Sequence, residues 1–284
     1  MWVEMASTLK RSRGLILGWG LGLALYSLLM VSMYGDIRGI DFSAFFQYYP
    51  QELMAFFGDS MLAISTPYGY LDLYFFNYMS VIVGILAAGM GARLIVKDEE
   101  DGLLDLVLAY PKSRSAIFWG RVLGLILTLA LIMAISWLSW VLPAGRAGLD
   151  LTPGELLRPF WGLLGQLLLF GCLALMLSMI LPASRLASMV VGGLLVANYL
   201  MVGLAHINKD LEQIVKVTPL HLYQGGYAIQ GVDGEGLLIV LELIVLFCLL
   251  AWWRFLERDL RVAGEGGWKL QDIIPGWGKK AGQR

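Results

Sequence analysis

Six long apolar runs constrain what this 284-residue chain can fold into more than any other feature of it. They cover residues 14–35, 71–92, 116–142, 160–181, 187–207 and 236–253. A stretch of about 18 or more predominantly apolar residues marks a helix that crosses the hydrocarbon of a bilayer, and several of the runs exceed that length. Inside hydrocarbon every backbone amide must be paired within its own segment, so the runs are expected to be helices. A membrane barrel would need short alternating segments, and these runs do not alternate. Composition agrees: 58% of residues are hydrophobic and 15% charged, where a soluble domain carries about 25% charged residues. The expected fold class is all-α, a polytopic integral membrane protein, with residues 1–284 forming one transmembrane domain.

The flanks of the runs set an orientation. Cytoplasmic loops collect Lys and Arg. Of the 21 basic residues only Arg38, Arg146, Arg158, Lys209 and Lys216 fall on one side, and the other 16 share the side of the N-terminus. Both termini are therefore expected in the cytoplasm. Lys10, Arg11 and Arg13 precede the first run, but it exceeds a signal-peptide core of about 7–15 residues and no A-x-A-like site follows. In residues 1–13, Trp2, Met5 and Leu9 recur at helical spacing, with Glu4, Thr8 and Arg11 opposite, which predicts a short interfacial helix. The first outer loop holds FSAFFQYYPQELMAFFG. Pro50 suits a helix start there, and Phe56 and Phe57 are expected on the membrane or on the spans. Residues 257–284 form a Gly- and Trp-containing cytoplasmic tail.

Several kinds of chemistry are missing from the sequence. No G-x-x-x-x-G-K-[ST] phosphate loop occurs, so ATP hydrolysis by this chain is not expected. Gly18, Gly20 and Gly22 lie inside a span, where they read as a helix-packing surface. His206 and His221 lack a metal-binding context, and Cys172 and Cys248 read as buried free thiols. Glu242 lies about two turns inside the last span, where an ionisable group is a functional candidate by default. Asn77, Gln166 and Asn198 are further intramembrane polar residues, suited to interhelical hydrogen bonds and candidates for a translocation path.

The stretch KDEEDGLLDLVLAYPKSR, residues 97–114, separates the second and third runs. Its leading acids suit a helix N-terminus. Leu103, Leu106, Val107 and Tyr110 form an apolar stripe, Pro111 ends the helix, and Ser113 or Ser115 can cap the next one. Clustered acids do not suit anionic headgroups, so the short amphipathic helix over 97–111 is expected to meet a protein partner.

This stretch resembles the first cytoplasmic loop of export-type ABC permeases of the second class. Glu99, Glu100, Gly102, Leu104, Pro111, Ser113, Arg114 and Gly120 match that pattern, while Leu103 replaces its usual threonine and Arg121 its usual lysine. TPLHLYQGG, from Thr218, is similar to the Ser-Pro-Phe-aromatic segment before the last span of such permeases. The resemblance implies a half-transporter that pairs with a second permease, identical or not, and with two copies of a separate ATPase subunit. Glu99, Glu100, Gly102, Leu103, Leu106, Val107, Pro111 and Arg114 would form the coupling contact, with Arg185 in a second, shorter loop. No cofactor is expected on this chain; ATP and Mg²⁺ would sit in the partner ATPase. The remaining partner is the lipid bilayer, not nucleic acid, in a bacterial or archaeal cell membrane. The implied activity is ATP-driven export of a hydrophobic or amphipathic substrate such as a drug, antibiotic or lipid-like molecule. An ion-coupled secondary transporter using Glu242, and an ABC-type mechanical or regulatory complex that moves no solute, are the other readings.

Overall fold

The backbone turns helical at all six apolar runs, and most of the helices outrun the apolar stretch that predicts them. The computed structural model describes residues 1–40, 42, 46, 48–101, 113–216 and 218–257, with the side chains of 51–53, 59 and 209 excepted. The long elements are α1 (Trp2–Ile37), α2 (Pro67–Arg93), the short α3 (Val96–Glu100), α4 (Arg114–Ala147), α5 (Pro153–Ile180), α6 (Ser184–Ile207) and α7 (Gly234–Glu257). The six longer helices are each long and apolar enough to cross a membrane, so the chain is an all-α, multi-pass integral membrane protein.

Residues 1–13 are helical, as their spacing predicts, but they run into the first span without a break. They form the inner turns of a single 36-residue helix rather than a separate element. At 1.5 Å per residue α1 is about 54 Å long, against a hydrocarbon core of about 30 Å. Its first turns therefore stand clear of the hydrocarbon and are free to bond to other polar ends.

Helix starts follow local chemistry. Ser113 caps α4 by accepting from the Ala116 amide at 3.2 Å, while Ser115 instead accepts from the Trp252 indole N–H. Thr152 and Glu155 form a reciprocal capping box on α5, and Pro153 occupies its first position, where a missing N–H costs nothing. Gly148, with φ of +72°, ends α4 in the left-handed conformation that a Cβ disfavours.

Small residues set the crossings. A Cβ on Gly91 would lie 1.9 Å from the Gly171 carbonyl oxygen, so α2 and α5 meet backbone to backbone. Gly120 and Gly124 admit the first turns of α1, where added Cβ atoms would strike Glu4 and Thr8. Of the three glycines expected to pack in the first span, only Gly20 does so, against Ile135, while Gly18 and Gly22 face open space. Helix α5 is the centre of the bundle, with Leu163, Leu167, Ala174 and Leu175 fully buried. Helices α1, α6 and α7 keep long apolar faces outward, among them Leu17, Leu25, Met189, Leu194, Leu238 and Leu241.

Candidate functional site

At the end of the bundle that carries the N-terminus, a charged network ties three helices together. Arg121 of α4 is nearly inaccessible and donates to the Asp98 carboxylate at 2.5 Å and to the Leu94 carbonyl oxygen at 3.1 Å. Glu4 of α1 lies 3.9 Å away, and Arg11 reaches Asp98 from the outside at 3.1 Å. A guanidinium is suited to this position because its fork can serve a carboxylate and a carbonyl at once.

The acids ahead of residue 102 point inward more than their sequence suggests. Asp98 and Glu99 are buried. The Glu100 carboxylate accepts from both the backbone N–H and the hydroxyl of Ser184, at 2.8 and 2.9 Å. It thereby caps the start of α6, whose own N-cap, Ala183, has no side chain to do so. Arg114 donates to the Leu256 carbonyl oxygen near the end of α7. Arg185 is exposed. Gly102, Leu103, Leu106, Val107 and Pro111 lie outside the described residues. The residues flanking that stretch are anchored, Glu100 to α6 and Arg114 to α7.

The same end holds a cavity of about 720 Å³ between α1 and α2, lined by Arg11, Arg93, Lys97 and Arg121 with Asp98 and Asp101. Above it a shallower apolar groove follows Gly14, Gly18, Trp19 and Gly22 of α1.

At the opposite end lies a cavity of about 320 Å³. Its floor is Asp72, which the sequence places at the edge of a span and gives no special pattern. It sits in a π-type turn, Asp72–Phe76, where the Asn77 amide bonds five residues back to the Asp72 carbonyl. Such turns widen a helix locally and re-aim its side chains. Ser60 donates to one carboxylate oxygen at 2.5 Å and the Gly226 amide to the other at 2.7 Å. Gly225 adopts φ of +57° directly beside Asp72, where a side chain would collide with the carboxylate. The TPLHLYQGG segment thus closes the cavity, contributing Tyr223, Gln224 and Gly225. Burial and the nearby Asp72 carboxylate push the Tyr223 phenol above its ordinary value, keeping its hydroxyl a donor, here to the Phe76 carbonyl oxygen. Phe56 and Phe57 pack on the spans, edge-on to Tyr199 and Tyr78.

The four intramembrane polar candidates part company. Asn77 lines the cavity. Asn198 is buried, and its carbonyl oxygen accepts from the Leu220 amide at 3.0 Å, a local cap between α6 and the following turn. Gln166 is fully buried in α5, and its side-chain amide has no hydrogen-bond partner among the described residues. Interhelical bonding, expected for all three, holds for Asn198 alone in this restricted sense. Glu242 is exposed on the outward face of α7, between Leu238, Leu241 and Val245, and lines none of the three cavities described above. Cys172 and Cys248 are free and buried with their sulfurs 3.1 Å apart. No cluster of three or more metal-ligating side chains occurs among the described residues.

Six spans with polar contacts at both ends of the bundle define a multi-pass membrane protein in architecture. The chain belongs to the ABC-2 transporter family: the family model described as ABC-2 family transporter protein matches residues 17–260. That range takes in α1 from residue 17 onward, the five later spans, the Asp72 cavity and the stretch between Glu100 and Arg114. No curated protein matches the chain. Membership makes it the permease subunit of an ABC transporter, a class of membrane subunit that is normally non-catalytic and works with an ATPase.

Proposed function

We propose that the chain is half of an ATP-driven exporter for a hydrophobic or amphipathic substrate, pairing with a second permease and two ATPase subunits that bind the ATP and Mg²⁺. The N-terminal end of the bundle is the cytoplasmic one, and residues 102–112 form the coupling element. The observation that carries this reading is the pair of hydrogen bonds from Ser184 to Glu100. They join the first and second loops of that end into one platform, so that force applied to either loop reaches α2 and α6 together. The apolar groove beside the basic cavity supports an amphipathic cargo, since it offers a charged mouth and a greasy wall in sequence. Glu242 faces away from both cavities, so nothing in its position favours ion coupling.

Coupling is tested at Val107. The spacing of Leu103, Leu106 and Val107 in the sequence is that of one side of a helix, and burying such a side chain in a partner groove contributes roughly 1.5–3 kcal/mol. An uncompensated carboxylate there costs several more. Val107→Asp is expected to weaken ATPase capture by about two orders of magnitude or more, while Asp105→Ala has a smaller effect. Pull-down of the ATPase from detergent extracts measures both. Unchanged capture and hydrolysis in Val107→Asp would remove this stretch from the coupling role.

A further inference from the structure

We propose that the cavity floored by Asp72 is a binding site for an organic cation, a quaternary or protonated amine carrying apolar groups. The inference rests on the export reading and names the chemical class of its cargo.

The carboxylate comes first. Asp72 is 8% exposed within a membrane-spanning helix, a position where an ionisable group is rare and costly. Gly226 N–H can only donate, and the Ser60 hydroxyl donates to the second oxygen. Each oxygen thus receives a donor, and a cation in the adjoining space would hold the carboxylate ionised against the cost of its burial. Two neutral donors orient that charge without cancelling it. Asp72 forms no ion pair among the described residues. A buried charge is normally matched by a counter-charge, and here the space beside it is a cavity.

The walls come second. Phe56, Phe57, Tyr199, Tyr223 and Tyr227 all border the same space. Aromatic faces attract a cation within about 6 Å of the ring centre, more strongly when it is desolvated. A carboxylate floor under aromatic walls is the combination that selects a cation with a greasy periphery over a hydrated metal ion. A hydrated ion would need several oxygen ligands, and both Asp72 oxygens are already engaged. A volume of about 320 Å³ lies at the lower end of small-molecule pockets, enough for a substituted ammonium head.

Both wall and floor depend on the same chain turns. Phe56 packs where a Cβ on Gly203 would stand 2.2 Å from its ring, and Gly225 and Gly226 bring the loop before α7 against Asp72. The site therefore joins α2, α6, the loop after α1 and the loop before α7. A change in the angle between α2 and α6, which Glu100 links at the other end through α3, would alter its shape.

The test uses benzyltrimethylammonium, whose charge does not titrate, and its uncharged isostere neopentylbenzene. Binding of each to the purified full-length protein in lipid nanodiscs is measured by calorimetry. The cation is expected to bind at least about tenfold more tightly than the isostere. Asp72→Asn keeps an acceptor for the Gly226 amide and is expected to abolish that preference while leaving the isostere's affinity unchanged. Tyr199→Leu is expected to weaken the cation about threefold or more, and Tyr199→Phe, which keeps the ring, to match the native protein. The Tyr199 pair decides the matter should Asp72→Asn fail to fold. Equal binding of the two probes by the native protein overturns the proposal, as does a preference that persists in both Asp72→Asn and Tyr199→Leu. Cation binding without cation-stimulated hydrolysis in the complex assembled with its ATPase would leave the site standing and sink the export reading instead.

Discussion

Arg121 shows how much a single side chain can hold together at the N-terminal end. Its guanidinium is 5% exposed and Asp98 6% exposed at the side chain, so neither charge has water to fall back on. Removing one partner of such a pair leaves an uncompensated buried charge, at a cost of about 3–5 kcal/mol. Arg121→Met is therefore expected to lower the thermal unfolding midpoint in detergent markedly, measured by circular dichroism. Arg121→Lys should fall between, since an ammonium keeps the charge but lacks the fork that also reaches the Leu94 carbonyl. An unchanged midpoint in Arg121→Met would mean that Arg11 alone suffices for Asp98. The sequence marks Arg121 as a basic residue in a cytoplasmic segment, at the position of the lysine in the resembled pattern, and says nothing of its partners. Its partners lie in other helices, 23 residues away at Asp98 and far back at Glu4, and no local spacing announces them. Asp72 and Glu242 make the same point in opposite directions. Glu242 stands out in a uniformly apolar run, yet the helix turns it outward. Asp72 borders its run without any pattern, yet two loops distant in sequence enclose it.

At the scale of the element, the starts and ends of helices were readable because capping is local chemistry. Ser113 ahead of α4 and the helix after Pro50 follow from residues within four positions. The start of α6 is different, because its cap comes from Glu100, 84 residues earlier. A carboxylate at a helix N-terminus gains from both the hydrogen bonds and the dipole, and loss of a cap costs about 1 kcal/mol. That is roughly a fivefold change in an opening equilibrium. Glu100→Ala is expected to speed amide exchange in residues 184–187 by about that factor, read by hydrogen-exchange mass spectrometry. Unaltered protection there would show the two loops to be independent. The acids of residues 98–100 read from sequence as a partner-facing cluster, and the fold instead spends most of them on joining its own loops.

For the whole molecule, length and apolarity determined the span count, since hydrocarbon leaves a chain few options. Which side of the membrane each end faces rests on charge. The end that carries Glu4, Arg11, Arg121 and Asp98 also carries Arg93, Lys97, Arg114 and Arg254, whereas Arg38, Arg146, Arg158 and Lys216 fall at the opposite end. Positive residues are retained on the cytoplasmic side during insertion, so from the 16-to-5 division we propose that the platform lies inside the cell and the Asp72 cavity outside. Single cysteines provide the test, and the native thiols do not confuse it, because Cys172 and Cys248 are both buried within spans. A membrane-impermeant maleimide applied to sealed cells is expected to label cysteine placed at Tyr48, which is 88% exposed, and at Lys216, but not at Glu100. After permeabilisation Glu100→Cys should label as well, because its position is exposed once the membrane barrier is gone. Labelling of Glu100→Cys in sealed cells would invert the orientation. It would put residues 102–112 out of reach of an ATPase that has access only to cytoplasmic ATP, and the Asp72 cavity would become an entry site instead of an exit.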